Sequence, residues 1–448
     1  ALEAYVTCEE DLKVIDANLS QQERDAFAKV AAVLFGSVFD KLNRKVQSFE
    51  LDPAHGPGAT ADRKIGNQKF VQSEWTDRLE EYFPYGEYVL PSWRHFLTNK
   101  PSFLSLEQER PVKVILVPKT LKTPRIIAVE PTAMQYMQQA LMREFVTEIE
   151  SDPLVSSFSH FTDQSLNQGA ACEASRDGRH ATLDLSEASD RVLNSVVIDM
   201  LRPWPDLSGA VQACRSSTAK LPDGTVVSLT KFASMGSALT FPMEVIVFTT
   251  LIIMGIADSR GVKPWDPSFL EGLKGDVHVY GDDMIVPVES VHSVIGSLET
   301  FGLKVNHTKS FWNGKFRESC GGDYFNGHRV NPIRLKHIPP VSRQSVSEIL
   351  SWNSFMNQAY DAGYMRAGKY AQKTIEKALG KRLTMVPSGS GAVGIQTDRR
   401  LINAGRMHPN TFAPQVRAWV PDAKQKEIPV SDIWALRKVF TGQWSDPL

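Results

Sequence analysis

Val277-His278-Val279-Tyr280-Gly281-Asp282-Asp283-Met284-Ile285-Val286 sets two strand-forming runs on either side of a polar centre. Gly281-Asp282 between such runs is a two-residue turn signature, so the stretch predicts a β-hairpin. Two carboxylates then stand side by side at its tip. Adjacent like charges raise each other's pKa, and apolar strands do not gather them for stability. Either the tip is a solvated acidic turn, or a divalent cation relieves the repulsion.

The chain around it has 448 residues, 42% hydrophobic and 23% charged. That is a globular composition with enough length for a large core and two or three domains. Lys and Arg number 50 against 51 Asp and Glu, a formal net charge of −1. A nucleic-acid partner therefore has to be argued from local clusters of basic residues. The four cysteines (Cys8, Cys172, Cys214 and Cys320) are scattered. This speaks against a thiolate zinc site or a disulfide framework and fits a reducing cytoplasm. No apolar run reaches about 18 residues, so no membrane span is expected. The most apolar stretch, Phe241 to Ile256, is interrupted by Glu244 and reads as a buried helix. No signal peptide is visible. The sequence opens on Ala1 and reads as a segment of a longer protein.

Upstream, two β-branched runs, Val112 to Val117 and Ile126 to Val129, flank a loop carrying Lys119, Lys122 and Arg125. Pro118 and Pro124 stiffen it. The cluster is either solvated surface charge or a grip for triphosphate and RNA phosphates. His180 to Leu183 predicts a short strand ending in Asp184, followed by Asp190 and a helix. Asp184 is either a helix cap or a ligand at a strand's carboxyl end, where α/β sheets handle metals and phosphates. Leu221-Pro222-Asp223-Gly224 predicts a second hairpin turn. Ser234-Met235-Gly236 through Thr240 brings small residues ahead of the apolar helix, allowing close approach of a backbone or nucleotide. His55-Gly56-Pro57-Gly58 is a turn-rich loop, structural or phosphate-cradling. Helices are expected over roughly 9–45, after Pro131, over Val291 to Phe301 with Gly302 as the stop, and over Val346 to Ala359 and Met365 to Leu379. If the Asp184 strand and the Gly281 hairpin are neighbours, three carboxylates converge, a donor set suited to magnesium or manganese.

In this order (basic loop, Asp strand, Ser-x-Gly helix, Tyr280-Gly281-Asp282-Asp283 hairpin, Lys309), the parts resemble the RNA-directed RNA polymerases. More narrowly they resemble the replicase beta subunit of single-stranded RNA bacteriophages. Asp163 to Gln168 and Phe316-Arg317-Glu318-Ser319-Cys320-Gly321 add to the likeness, which covers roughly residues 50 to 335. The resemblance implies an α+β right-hand fold with fingers, palm and thumb. The palm would be an antiparallel sheet packed on helices. Residues 1–180 would be fingers with an N-terminal helical region, 181–330 palm with a fingers insertion around 205–230, and 331–448 thumb and C-terminal region. It implies template-directed RNA synthesis by two-metal nucleotidyl transfer, with two Mg²⁺ ions or Mn²⁺ in their place. Asp184 and Asp282 would be the principal metal ligands and Asp283 a weaker or alternate one. Asp190 would contact the ribose 2′-hydroxyl. Ser234, Gly236 and Thr240 would shape the nucleotide floor, and Lys119, Lys122 and Arg125 would neutralise the triphosphate. Lys309 would be the general acid for pyrophosphate, or a phosphate-binding or surface lysine. Glu130 would pair with one of the loop cations or be purely structural. Glu244 stands where many positive-strand RNA polymerases have Asn, which leaves its role open. The 316–325 hairpin would support the primer end. RNA template and product, ribonucleoside triphosphates and the host elongation factors Tu and Ts would be partners, in the cytoplasm of the bacterial host. A reverse transcriptase, a narnaviral or mitoviral polymerase, and an inactive palm-like RNA-binding subunit are the alternatives.

Overall fold

Three antiparallel strands form the central sheet of the region that carries the hairpin. In the computed structural model, which describes residues 1–90, 94, 100–117, 124–397, 406–412 and 414–422, His278–Tyr280 pairs with Asp283–Pro287. Asp283–Pro287 pairs on its other side with His180–Leu183. The expected hairpin and the expected Asp184 strand are thus direct neighbours. Val277, Val279, Met284, Ile285 and Val286 are all fully buried, so the runs flanking the turn are core strands.

Behind this sheet lies the helix Thr240–Arg260, buried nearly all round because apolar side chains run through most of its length. Among the described residues it is the one helix long and apolar enough to cross a membrane, and it is spent on the core instead. It packs against the helix Val291–Thr300, which ends as expected before Gly302. The N-terminal region, expected as one helical stretch, is two helices, Leu2–Asn18 and Gln21–Gln47. Ser20 makes the break by capping the second: its Oγ accepts from the Glu23 N–H at 3.2 Å, and Glu23 reaches back to the Ser20 N–H at 2.8 Å.

A four-stranded sheet combines two features that look separate in sequence. Its order is Arg125–Val129, Val112–Val117, Thr218–Lys220, Val226–Ser228. The basic-loop hairpin therefore shares a sheet with the Leu221–Gly224 hairpin, through a parallel pair joining Val112 to Ala219. The hairpin Phe316–Ser319 and Gly322–Phe325 gains a short third strand, His328–Arg329, and lies against the helix Ser165–Asp177. The architecture is α+β.

The chain divides into two compact units between Val330 and Asn331. All the elements above belong to the first. The second has its own small core, in which Ile349, Trp352 and Met356 of the helix Val346–Asp361 meet Ile375 and Leu379 of Met365–Leu379. Asn353 and Asn357 of the former clip the backbone of Gly394 and Gln396. Ser388 to Gly391 lies between two short paired strands, Met385–Pro387 and Ile395–Thr397.

Candidate active site

The hairpin turns at Gly281 and Asp282 between Tyr280 and Asp283, which face each other across the ladder. Gly281 has φ +58°, and a Cβ there would lie 2.7 Å from the Phe241 ring. Only glycine fits both the left-handed backbone and the contact. Tyr280 packs its ring on Phe241 at 5.4 Å between centroids and accepts from Gln164 at 3.3 Å. Leu183 pairs with Met284, so Asp184 leaves its strand at the end where the hairpin turns. Both Asp184 and Asp282 line one cavity of about 650 Å³.

Asp184 is held at four points. Its N–H donates to Ser310 Oγ at 3.1 Å and its carbonyl accepts from Asn306 N at 2.8 Å. One carboxylate oxygen accepts from Asn306 Nδ2 at 3.1 Å, and the other lies 3.5 Å from Lys309 Nζ. Burial pushes its pKa above the ordinary range; Lys309 pulls it down and Asp282 pushes it up. Lys309 thus stands as a cation where the acids repel, beside Asp184.

Asp283 does not join them. Asp282 sits in the turn, whereas Asp283 opens the strand and turns from the cavity to accept from Cys320. Buried there, it is pushed up to about 6, with Asp282 and Asp184 adding to the shift. The strands are neighbours, the condition for three carboxylates to converge, yet only Asp184 and Asp282 line the cavity. Among the described residues no three His, Cys, Asp or Glu side chains are grouped to hold a metal ion. The pair Asp184 and Asp282 still fits a hard cation, because magnesium binds through one or two carboxylates and completes its shell with water and phosphate oxygens.

The opposite wall comes from the loop before the apolar helix. Gly236 has φ +131°, and a Cβ there would fall 2.0 Å from the Ala128 carbonyl oxygen. The close approach is real: Ala128 N–H donates to the Met235 carbonyl at 2.8 Å, joining this loop to the Arg125–Val129 strand. Gly236, Thr240 and Arg125 all line the cavity. Ser234 sits behind them, with its Oγ 3.2 Å from the Tyr5 hydroxyl and its carbonyl accepting from Thr240 Oγ1 at 2.8 Å. Lys119 and Lys122 lie outside the described residues.

Glu244 also lines the cavity and is 7% exposed. Burial, then Asp282 and Asp190, raise its pKa well above the usual carboxylate value. Glu130 is not at the cavity. It is buried, accepts from Ser216 Oγ at 2.6 Å and is raised to about 7 by burial. The His55 to Gly58 turn aims carbonyls, not N–H groups, at a central point, where the buried Lys69 ammonium bonds those of Gly56 and Gly58. That is a structural loop.

Asp190 lines the cavity with one carboxylate oxygen 3.0 Å from the buried Lys231 Nζ. Neither Lys231 nor Asn306 stood out in the sequence. Asn306 lies in a polar run after a short strand, three residues before Lys309, which is a faint signal. A single Lys in Leu229-Thr230-Lys231-Phe232 gives none.

An α+β chain that folds two carboxylates from separate strands onto a polar cavity, faced by a basic strand end and a glycine loop, has the parts of a nucleotide-handling centre. The chain belongs to the RNA replicase beta-chain family, whose model matches residues 96–354. It is 35% identical to the RNA-directed RNA polymerase subunit beta of Escherichia virus Qbeta over 225 residues, 50% of this chain and 35% of that one. It is 33% identical to the RNA-directed RNA polymerase beta chain of Escherichia phage MS2 over 226 residues, 50% of this chain and 37% of that one. The match thus spans little more than a third of the length of these relatives. Among solved structures, it is similar to the RNA-dependent RNA polymerase of a human picorbirnavirus (TM-score 0.41, 14% identity, 60% of this chain and 55% of that one). It is also similar to the BmCPV RNA-dependent RNA polymerase at elongation state (TM-score 0.44, 11% identity, 78% and 33%).

Proposed function

We propose that this chain carries out template-directed RNA synthesis on an RNA template by nucleotidyl transfer, replicating a single-stranded RNA phage genome. The observation that carries the reading is the convergence of Asp184 and Asp282 on a cavity that also takes in Asp190, Arg125 and Gly236. Family membership and the printed names of the Qbeta and MS2 relatives support it. Asp184 and Asp282 would hold Mg²⁺, with Mn²⁺ as a substitute. Bound there, the metal would acidify an attacking 3′-hydroxyl and stabilise the leaving pyrophosphate.

The chain's own residues do the rest. Arg125, at the base of the loop with Lys119 and Lys122, neutralises triphosphate charge. Asp190 accepts from the ribose 2′-hydroxyl, which distinguishes ribonucleotides from deoxyribonucleotides. Gly236 and Thr240 form a floor low enough for a base to lie on. Asn306 fixes the Asp184 carboxylate, and Lys309, beside it, gives a proton to the leaving pyrophosphate. Asp283, which accepts from Cys320 outside the cavity, is at most the weaker or alternate ligand of the set. Residues 1–180 are read as fingers, 181–330 as palm with an insertion around 205–230, and 331–448 as thumb and C-terminal region. The relatives' names call them beta chains or subunits, which supports a larger assembly. Host elongation factors Tu and Ts are the partners proposed, in the bacterial cytoplasm.

The test is RNA extension by the purified chain with template, ribonucleotides and Mg²⁺, with and without a bacterial lysate fraction. Template-dependent incorporation that Asp184→Asn abolishes supports the reading. Incorporation untouched by that change would contradict it, and copurification from lysate decides the partner claim.

A further inference from the structure

A fully buried lysine stands behind the cavity wall, in the same compact unit. Lys231 Nζ lies 3.0 Å from Asp190 Oδ1, 3.2 Å from Glu9 Oε1 and 3.6 Å from the centroid of the Tyr5 ring. Glu9 and Tyr5 come from the N-terminal helix, more than 200 residues away in sequence. The lysine's backbone is fixed from two sides. Phe232 N–H donates to the Val192 carbonyl at 2.7 Å, and Arg215 Nη2 donates to the Lys231 carbonyl at 2.8 Å. The Glu9 carboxylate is fixed in turn, since its other oxygen accepts from Thr230 N–H at 2.7 Å. Asp190 is tied at its backbone too, where its carbonyl accepts from the Cys8 thiol at 3.2 Å.

Lys231 touches neither the cavity nor a reacting atom. Its ammonium takes one oxygen of Asp190. The second oxygen has no hydrogen-bond partner among the described residues, and Asp190 lines the cavity. A carboxylate on a flexible side chain samples several rotamers. One oxygen fixed by a buried, immobile cation leaves the other with a single direction in which to accept. A lone buried lysine is costly, and two carboxylates and an aromatic face offset that cost. Burial lowers the pKa of Lys231, but Asp190, Tyr5 and Glu9 together raise it above the ordinary value, so the cation persists.

We propose that Lys231 is a positioning residue for sugar discrimination: it clamps Asp190 so that the free carboxylate oxygen meets the 2′-hydroxyl of an incoming ribonucleotide. The N-terminal helix, through Glu9 and Tyr5, closes the lid on that clamp. The inference rests on Asp190 reading the ribose, and the test separates the two.

The measurement is the ratio of kcat/KM for a ribonucleotide to that for its 2′-deoxy analogue on one template. Asp190→Asn, Glu9→Gln, and Lys231→Met combined with Glu9→Gln are compared with the parent; the combination leaves no Glu9 carboxylate buried without a cation. Thermal unfolding of each is recorded alongside. Expected is a ratio lowered about tenfold or more in Asp190→Asn and in the combined variant, and unchanged within about twofold in Glu9→Gln alone, the range of one charge-assisted hydrogen bond. Lys231→Gln with Glu9→Gln, which restores a neutral donor, gives an intermediate ratio and serves if the methionine variant does not fold. A ratio lowered by Asp190→Asn but held at the parent value in both Lys231 variants overturns the clamp and leaves the ribose reading standing. A ratio unchanged in Asp190→Asn overturns the ribose reading, and the clamp with it. Equal losses for both sugars, tracking the fall in unfolding temperature, mark the cluster as structural and overturn the clamp.

Discussion

Lys309 Nζ lies 3.5 Å from Asp184 Oδ1, and Asn306 Nδ2 lies 3.1 Å from Oδ2 of the same carboxylate. The acid is thus gripped on both oxygens from one short segment, and the two contacts differ in kind. Asn306 is neutral and orients; Lys309 is charged and carries exchangeable protons.

Lys309→Met should therefore lower kcat by about 10²-fold or more, the range for loss of a general acid. The nucleotide KM should move far less. Steady-state incorporation at saturating template checks this. A raised KM with unchanged kcat would make Lys309 a phosphate-binding residue instead.

Gly281→Ala should destabilise the first unit by about 1–2 kcal/mol from the left-handed backbone alone. The Phe241 ring, 2.7 Å from the added Cβ, adds to this. Urea unfolding measures the total, and a smaller Phe241→Leu side chain should recover the steric part only. Full recovery in the double variant would show that the backbone carries no strain.

Glu130 gives a pH signature. Its folded pKa, about 7, lies above the unfolded value, so the folded state binds the extra proton. That contribution is complete below about pH 4.5 and is lost as pH rises through about 7, up to about 3 kcal/mol. Glu130→Gln keeps an acceptor for Ser216 and removes the titration. The variant should gain stability relative to the parent between pH 5 and 8. Parallel stability–pH curves would contradict the assignment.

The strands of the site were legible because their signal is local. Val277 to Val286 alternates around a glycine turn, and His180 to Leu183 is a short, largely apolar run leading into Asp184. Their pairing was only a condition for the carboxylates to converge, and the Leu183–Met284 register meets it. What the sequence hid was facing. Asp282 and Asp283 are neighbours in the chain, yet Asp282 in the turn lines the cavity while Asp283 at the strand's start goes to Cys320. Ser234 was placed on the floor with Gly236, but its hydroxyl turns back toward Tyr5. The Lys231 cluster was invisible for another reason: its partners Glu9 and Tyr5 lie on a helix whose own periodicity says nothing about what it covers. The break at Ser20 was readable in principle, since Ser20 and Glu23 have capping-box spacing.

The central claim is that Asp184 and Asp282, and not the adjacent pair Asp282 and Asp283, form the working carboxylates. Nucleotide incorporation by Asp282→Asn and Asp283→Asn, each assayed beside RNA binding, tests it most directly. The account predicts a loss of at least about 10²-fold for Asp282→Asn with RNA binding kept, and a clearly milder loss for Asp283→Asn. Parent-level incorporation by Asp282→Asn, or a deeper loss in Asp283→Asn than in Asp282→Asn, would contradict it.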